Sequence, residues 1–145
     1  MSFDVEPLAA ASIAQVHTAT LSDRQEVIVK LLRPGVRERI EQDLELLYVI
    51  AELADRYWVE AKRLHPLEVV AEYEKTVLDE LDLMREAANA AQLKRNFEDS
   101  DLLYVPEVYF DYCRKSVLVQ ERIHGVPISD MQTLRAANTN IKALA

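Results

Sequence analysis

The residues most able to do chemistry are a lysine at the end of an apolar run and two glutamates further along the chain. Lys30 closes the string Val27-Ile28-Val29-Lys30, and Glu80 and Glu86 lie within a long helical pattern. An ammonium group can bind phosphate oxygens, and a glutamate can hold that ammonium group in place as an ion pair. A lysine at this position can also do no more than keep a strand soluble, so the surrounding pattern must decide between the two interpretations.

The helical pattern around the two acids places Glu86 on an apolar face. Apolar residues recur at helical spacing from about Leu67 to Phe97, which predicts one helix of some 31 residues and about 46 Å. On an ideal wheel Glu86 falls among Leu83, Ala87, Ala90 and Phe97. Because an unpaired carboxylate is costly to bury there, we expect a cation beside it, and Lys30 is the candidate.

Glu80 falls at the edge of the main apolar stripe of the same helix and should also need a partner. A carboxylate on the rim of the fold, paired with a neighbouring Arg or Lys, is the alternative for both glutamates. The second half of the helix is predicted to be buried on two sides, because its alanines allow another backbone to approach closely. These alanines are Ala87, Ala88, Ala90 and Ala91.

The elements that must position these side chains can be predicted from local patterns. β-branched and alternating residues indicate an antiparallel hairpin of two strands, with a polar turn at residues 22–25. A helix follows Pro34-Gly35, and the long helix comes next. The predicted elements are strands at 15–21 and 26–32, helices at 36–58 and 67–97, strands at 104–110 and 116–123, a linker at 124–130, and the start of a helix towards Ala145.

Composition excludes several classes of function. Seventeen basic residues against twenty-five acidic ones give a net charge of −8. This sign opposes non-specific electrostatic binding of nucleic acid. Two glycines in 145 residues leave no glycine-rich phosphate cradle, and a single cysteine, Cys113, excludes an internal disulfide. No metal site is predicted from the spacing of the histidines and this cysteine. The sequence has no membrane-spanning run or secretory signal, so the chain as given is expected to be soluble and intracellular.

The order of elements resembles the small lobe of protein-kinase-like folds. It runs strand, strand with a central lysine, helix carrying acids, strand, strand and linker, and it predicts an α+β fold in which an antiparallel sheet packs with two long helices. In such folds the lysine of the second of these strands contacts the nucleotide phosphates and pairs with a glutamate of the helix.

Several strings narrow the resemblance to the UbiB family of atypical, kinase-like proteins of ubiquinone biosynthesis, and to its bacterial members. An alanine-rich loop stands where kinases have a glycine-rich one, and the acidic helix carries an ExD motif followed by Arg-Glu-Ala-Ala. The strings are Pro7-Leu8-Ala9-Ala10-Ala11-Ser12-Ile13-Ala14-Gln15-Val16, Val27-Ile28-Val29-Lys30, Glu80-Leu81-Asp82-Leu83-Met84-Arg85-Glu86-Ala87-Ala88-Asn89, Tyr104-Val105-Pro106-Glu107-Val108 and Glu121-Arg122-Ile123-His124-Gly125.

The resemblance implies specific roles. Catalytic roles fall to Lys30 with its partner Glu86, and to the acids of the ExD motif, Glu80 and Asp82. ATP would be bound by Ala9, Ala10, Ala11 and Ser12 over the phosphates, by Lys30, and by the backbone of Glu121, Arg122 and Ile123 at the adenine. The alanine loop implies restrained protein phosphorylation and ATPase-like behaviour.

Parts of the family's machinery are absent from the sequence. It contains no Lys-x-Gly-Gln, whose lysine pairs with the glutamate at the Glu80 position, and neither the His-Arg-Asp nor the Asp-Phe-Gly motif of a large lobe. We therefore expect a fragment without the large lobe, in which residues 1–124 form the small lobe and residues 125–145 the hinge and the beginning of the next lobe. Such a fragment would be catalytically incomplete, with the Mg²⁺ ligands elsewhere in the parent protein.

For the parent protein, the resemblance implies an ATP-dependent kinase or ATPase at the cytoplasmic face of the bacterial inner membrane. Its partners would be a nucleotide, quinone or lipid intermediates and other proteins of ubiquinone biosynthesis. Two alternatives remain open at this point. One is a non-enzymatic helical interaction module, and the other is a fragment of a different small-molecule phosphotransferase with a kinase-like fold.

Overall fold

An antiparallel sheet carries Lys30 on one of its inner strands. A computed structural model describes residues 2–100 and 103–136. The strands of the sheet are β1 (Ser2–Phe3), β2 (Ala9–Ala10), β3 (Ala14–Thr20), β4 (Glu26–Leu32) and β5 (Val117–Glu121). Their order is β1-β3-β4-β5, and β2 also pairs with β3. The strand with Lys30, β4, is therefore hydrogen-bonded on both sides.

The predicted hairpin of β3 and β4 is confirmed. Its register sets Val16 opposite Lys30, and on the other side of β4 Lys30 lies opposite Leu118. The turn includes Arg24, whose φ of 68° is in the left-handed region. Because residues opposite each other in neighbouring strands point to the same face, the register fixes which face of the sheet the lysine side chain occupies.

Two of the α-helices in the described part of the chain form a helical hairpin that follows β4. The helices are α1 (Val36–Tyr57), α2 (Pro66–Glu80), α3 (Leu83–Asn96) and α4 (Met131–Ala136). Gly35 precedes α1 with a φ of 71°, a conformation that glycine adopts without strain. The hydroxyl of Tyr48 on α1 donates to Glu74 on α2 at 2.6 Å, and a short 3₁₀ helix, Ala61–Leu64, lies in the connection.

The prediction of a single long helix at 67–97 is wrong, because the helix is interrupted at Leu81 and Asp82, between α2 and α3. The Asp82 carboxylate accepts a hydrogen bond from the N–H of Met84, as an N-cap does. The N–H of Leu83 is bound by the carbonyl of Lys115, which satisfies another donor of the new helix. Helical periodicity continues on both sides of the break, so the pattern alone does not reveal it.

The predicted strand at 104–110 is also wrong. Val108 forms an isolated bridge with Gln120, and residues Phe110–Tyr112 form a 3₁₀ helix. Pro106 has no N–H to donate to a ladder, which explains why pairing does not extend along this segment. The helix predicted towards Ala145 begins as α4, and residues 137–145 lie outside the described part of the chain.

The core lies between the sheet and the first half of α3. Val27, Leu83, Ala87 and Leu118 are each at most 1% exposed. The predicted close approach at the alanines is confirmed for Ala87, whereas Ala88 is exposed. Among the described residues, no helix is both long enough and apolar enough to cross a membrane.

We predict that Leu83→Ala will lower the free energy of unfolding by about 2–5 kcal/mol, since it removes a fully buried side chain and leaves a cavity at the start of α3. Urea denaturation followed by circular dichroism measures this loss. Val5→Ala serves as the matched control, because Val5 is 81% exposed. A loss no greater than that of the control would contradict the placement of Leu83 in the core.

Candidate functional site

The site is centred on an ion pair between the sheet and α3. Lys30 Nζ donates to Glu86 Oε2 at 2.7 Å and to Oε1 at 3.0 Å, so both carboxylate oxygens are bound. The pairing predicted for these two residues is therefore present. The side chains are 29% and 44% exposed, which places the pair at the edge of the core rather than inside it. Water and a ligand can both reach the ammonium group.

Beside this ion pair is an open cleft of about 400 Å³. It is lined by Lys30, Asp79, Glu80, Asp82, Arg85, Glu86 and Asn89. Two of these side chains are basic and four are acidic, so the lining carries a net charge of −2. The cleft thus brings together Lys30 and all three acids for which catalytic roles were predicted.

Glu80 lies at the rim of this cleft without a partner. It is exposed, and no hydrogen bond or ion pair involves its carboxylate within residues 2–100 and 103–136. The neighbouring Arg85 instead forms an ion pair with Asp79. Glu80 thus lacks the partner that its position was expected to need, in line with the absence of a Lys-x-Gly-Gln motif, and its exposure leaves the carboxylate hydrated.

Asp82 has a structural contact in addition to its place in the cleft. Its Oδ1 accepts from the N–H of Met84 at 3.1 Å and so caps α3 four residues before Glu86. A carboxylate at this position is also favoured by the helix dipole. The second acid of the ExD motif therefore holds the start of the helix that carries the partner of Lys30.

The alanine-rich loop folds as a tight turn in register with Lys30. Ala9 pairs with Val16, and Val16 pairs with Lys30, so the three residues form one row across neighbouring strands. Strand spacing places Ala9 about 10 Å from the backbone of Lys30. The N–H of Ala11 donates to the carbonyl of Ala14, which closes the turn, and Arg33 Nε donates to the carbonyl of Ala11.

Ser12 is not brought to the Lys30 cleft. It is exposed and lines a separate cavity of about 280 Å³ with Arg33, Gly35 and Arg39 among others. The two cavities share no lining residue. The structure therefore places Ala9 in register with Lys30 but directs Ser12 towards the start of α1.

The segment after β5 has part of its backbone already engaged. The N–H of Glu121 donates to the carbonyl of Glu107, and the N–H of Arg122 donates to the carbonyl of Glu26. Within the described part of the chain, the backbone of Ile123 makes no hydrogen bond. Of the three residues predicted to hold adenine, Ile123 is therefore the one whose N–H and carbonyl are both available.

A charged contact that the sequence analysis missed ties this segment to β4. Glu26 Oε2 lies 2.8 Å from His124 Nε2 and 3.5 Å from Arg122 Nη1. The residues are nearly a hundred positions apart in the sequence, and only the pairing of β4 with β5 brings them together. No local pattern could have indicated this contact.

A second network fixes the side chain of Glu121. Its carboxylate accepts from the N–H of Glu107 at 3.1 Å and from the hydroxyl of Tyr104 at 2.7 Å. Both hydrogen bonds lower the pKa of Glu121 below its ordinary value of 4.5, and the bond from the N–H of Glu107 has the larger effect. The associated stabilisation is complete above pH 4.5 and is lost as the pH falls through the lowered pKa.

The capping role of Asp82 predicts different effects for two substitutions. Asp82→Ala should lower the free energy of unfolding by about 1 kcal/mol, whereas Asp82→Asn should change it little, because asparagine also caps helices well. Urea denaturation of both variants measures the difference. Equal losses would show that the charge of Asp82, and not its cap, supports the fold.

Comparisons with known proteins identify the family of the chain. The ABC1 atypical kinase-like domain family matches residues 1–145. The probable protein kinases UbiB of Pseudomonas putida and of Marinobacter nauticus are 61% and 59% identical over 143 residues. Each match covers 99% of this chain and 26% of the relative, so the chain spans about a quarter of the length of the curated relatives it matches.

A solved structure gives the same result for the fold. The Rv3197–erythromycin complex from Mycobacterium tuberculosis matches with a TM-score of 0.74 and 32% identity. The match covers 89% of this chain and 32% of that one. The α+β fold with an antiparallel sheet is thus consistent with a kinase-like small lobe, and the chain belongs to the family of ABC1 atypical kinase-like domains.

Proposed function

We propose that the chain is the ATP-binding small lobe of a UbiB-type atypical kinase or ATPase that supports ubiquinone biosynthesis. The observation that carries the proposal is the ion pair between Lys30 and Glu86, with an Nζ–Oε2 distance of 2.7 Å. In kinase-like sites a strand lysine held by a helix glutamate contacts the nucleotide phosphates. The Lys30 side chain is partly exposed, so its ammonium group can donate to such a ligand while it is also bound to Glu86.

The alanine turn supports a phosphate-covering role for Ala9, Ala10 and Ala11. Its first residue, Ala9, lies in the same row of the sheet as Lys30, two strands away. The non-glycine residues with positive φ in the described chain are Arg24 and His65, so the turn uses ordinary backbone conformations. A loop with Cβ atoms and no positive φ is stiffer than a glycine-rich one. ATPase-like behaviour is what the resemblance to the family implies for such a loop.

The adenine would bind at the segment after β5. The backbone N–H and carbonyl of Ile123 make no hydrogen bond to residues 2–100 or 103–136, and Glu26 holds the residues on either side of it. In this arrangement Glu121 and Arg122 shape the segment, and Ile123 makes the contacts with the base. The proposed small lobe ends here, with residues 125–145 leading into the next lobe.

The charge of the cleft supports the use of Mg²⁺ with the nucleotide. Its lining has a net charge of −2, which would repel a bare triphosphate, and a divalent cation on the phosphates reduces that repulsion. Asp82 caps α3 and Asp79 pairs with Arg85, so these acids already have partners. We place the Mg²⁺ ligands in the three quarters of the parent protein that this chain does not span, and we therefore propose that the chain alone is catalytically incomplete.

The proposed pathway and cellular location are inferred from the proteins to which the chain is similar. Identity of 59–61% to proteins described as probable protein kinase UbiB supports a role in ubiquinone biosynthesis over another small-molecule phosphotransferase. Quinone or lipid intermediates, protein partners of that pathway and the cytoplasmic face of the inner membrane belong to the same proposal. The non-enzymatic helical module stays an alternative: the long helix is divided before Leu83, but large apolar side chains such as Leu46, Val49 and Ile50 remain exposed along α1.

A titration of ATP·Mg²⁺ tests the role of Lys30. In a chain extended through the large lobe, Lys30→Ala should weaken binding by about tenfold or more, since it removes a charged hydrogen bond to the phosphates. Lys75→Ala is the matched control, because Lys75 is exposed on α2. Unchanged affinity in the Lys30 variant, measured by calorimetry, would refute the proposed role. ATP hydrolysis by the 145-residue chain at the rate of the extended one would refute its incompleteness.

The contact of Glu26 with the segment after β5 makes a separate prediction. Glu26→Gln should speed hydrogen exchange of the amides at 121–125 by up to about fivefold, because it weakens an exposed charged contact. Mass spectrometry measures the exchange, and Glu38→Gln on α1 is the matched control. Exchange that matches the control would show that Glu26 does not hold this segment.

A further inference from the structure

The end of the helical hairpin carries a group of exposed apolar side chains. We define the hairpin tip as residues 56–65, which connect α1 to α2. Within it Tyr57 is 72% exposed, Trp58 68%, Val59 82% and Leu64 73%. Leaving four large apolar side chains in water within eight residues is unfavourable, and such a group marks a contact surface.

The tip is also basic, in contrast to the helices that flank it. Arg56, Lys62 and Arg63 oppose one acid, Glu60, so the tip carries +2 with His65 neutral. Residues 36–55 contain two bases and six acids, and residues 66–80 contain one base and five acids, so each flank carries −4. Within the described residues, none of the three basic side chains of the tip forms an ion pair. Arg56 lies over the ring of Tyr57, 5.7 Å from its centroid.

This combination fits the surface of an anionic bilayer. Tryptophan and tyrosine favour the headgroup level of a membrane, where the ring is partly buried and its polar group stays hydrated. Lysine and arginine beside them are attracted to anionic headgroups. We propose that the hairpin tip docks on an anionic membrane surface, with Trp58, Val59 and Leu64 entering the interfacial layer.

A protein partner would fit the same residues less well. The centres of protein interfaces are depleted of charged residues, and burying the unpaired Lys62 and Arg63 beside Leu64 would carry a desolvation penalty. At a bilayer the aliphatic parts of these side chains can lie against the lipid while the charges stay among the headgroups. The membrane therefore accommodates the apolar and the basic residues of the tip together.

The acidic flanks restrict how the chain can approach such a surface. An anionic membrane repels the acidic side chains of α1 and α2, so the tip is the part of the hairpin whose charge favours the contact. The helix α2 has 15 residues and runs from the tip back to Glu80 at the cleft, a distance of about 22 Å. The inference stands on the tip alone and does not depend on the proposed nucleotide site.

The chain contains its own reporter for this contact, because Trp58 is its single tryptophan. The 145-residue chain is mixed with vesicles of phosphatidylglycerol and phosphatidylethanolamine, and in parallel with vesicles of phosphatidylcholine. We expect a blue shift of the Trp58 fluorescence, quenching by brominated lipid and co-sedimentation with the anionic vesicles, and little of each with phosphatidylcholine.

Two double variants separate the charges from the apolar contacts while keeping Trp58. Lys62→Gln with Arg63→Gln should weaken partitioning about thirtyfold, at about 1 kcal/mol for each basic residue near the surface. Val59→Ser with Leu64→Ser should abolish the blue shift. The matched controls are Lys75→Gln and, for the apolar pair, Val5→Ser with Leu8→Ser, whose residues are 81% and 61% exposed. Circular dichroism checks that each variant is folded.

Three results would overturn the proposal. The first is the absence of binding to anionic vesicles, and the second is binding in which Trp58 stays in water or the tip variants behave like their controls. The third is a blue shift that grows with protein concentration without vesicles and coincides with a larger species in size-exclusion chromatography. That result would make the tip a contact between copies of the chain.

Discussion

The structure depends on holding the ammonium group of Lys30 against Glu86, two residues that lie on different elements and 56 positions apart. The lysine is held in place because β4 is paired on both sides, by β3 and by β5. The glutamate is held in place because Leu83 and Ala87, on either side of it in α3, are fully buried against the sheet. Residues 36–80 form the helical hairpin, which leaves the core and returns to it.

The sequence predicts those parts of the fold that depend on local pattern. The hairpin of β3 and β4 and the helix α1 follow from alternation and helical periodicity, and the partner of Lys30 follows from the position of Glu86 on the apolar face of its helix. The break before Leu83 could not be predicted in the same way, because apolar residues keep their helical spacing across it. It is decided by the cap from Asp82 and the bond to the carbonyl of Lys115, and the second depends on the tertiary fold.

The candidate site also combines residues that local patterns predict with contacts that only the tertiary fold creates. Lys30 and three of the four acids of the cleft can be predicted, because they lie on elements with clear patterns and in motifs of recognisable type. The fourth acid, Asp79, was not predicted. The contact of Glu26 with Arg122 and His124 cannot be predicted, since it depends on the register of two strands far apart in the sequence. Ser12 was assigned with the alanines from its sequence position, but the tight turn at Ala11 to Ala14 directs it to another cavity.

Because α3 is anchored at its first turn, a tilt of the helix would move its residues by amounts that grow with their distance from Leu83. Glu86 lies three residues from Leu83, about 4.5 Å along the axis, whereas Asn96 lies thirteen residues away, about 20 Å. A tilt about the first turn would therefore move the far end about four times as far as Glu86. The far end is tied through Lys94 to Glu107, whose N–H donates to the carboxylate of Glu121 at the end of β5. Small rotations of α3 would thus leave the ion pair with Lys30 intact and be transmitted mainly to the segment that leads out of the lobe.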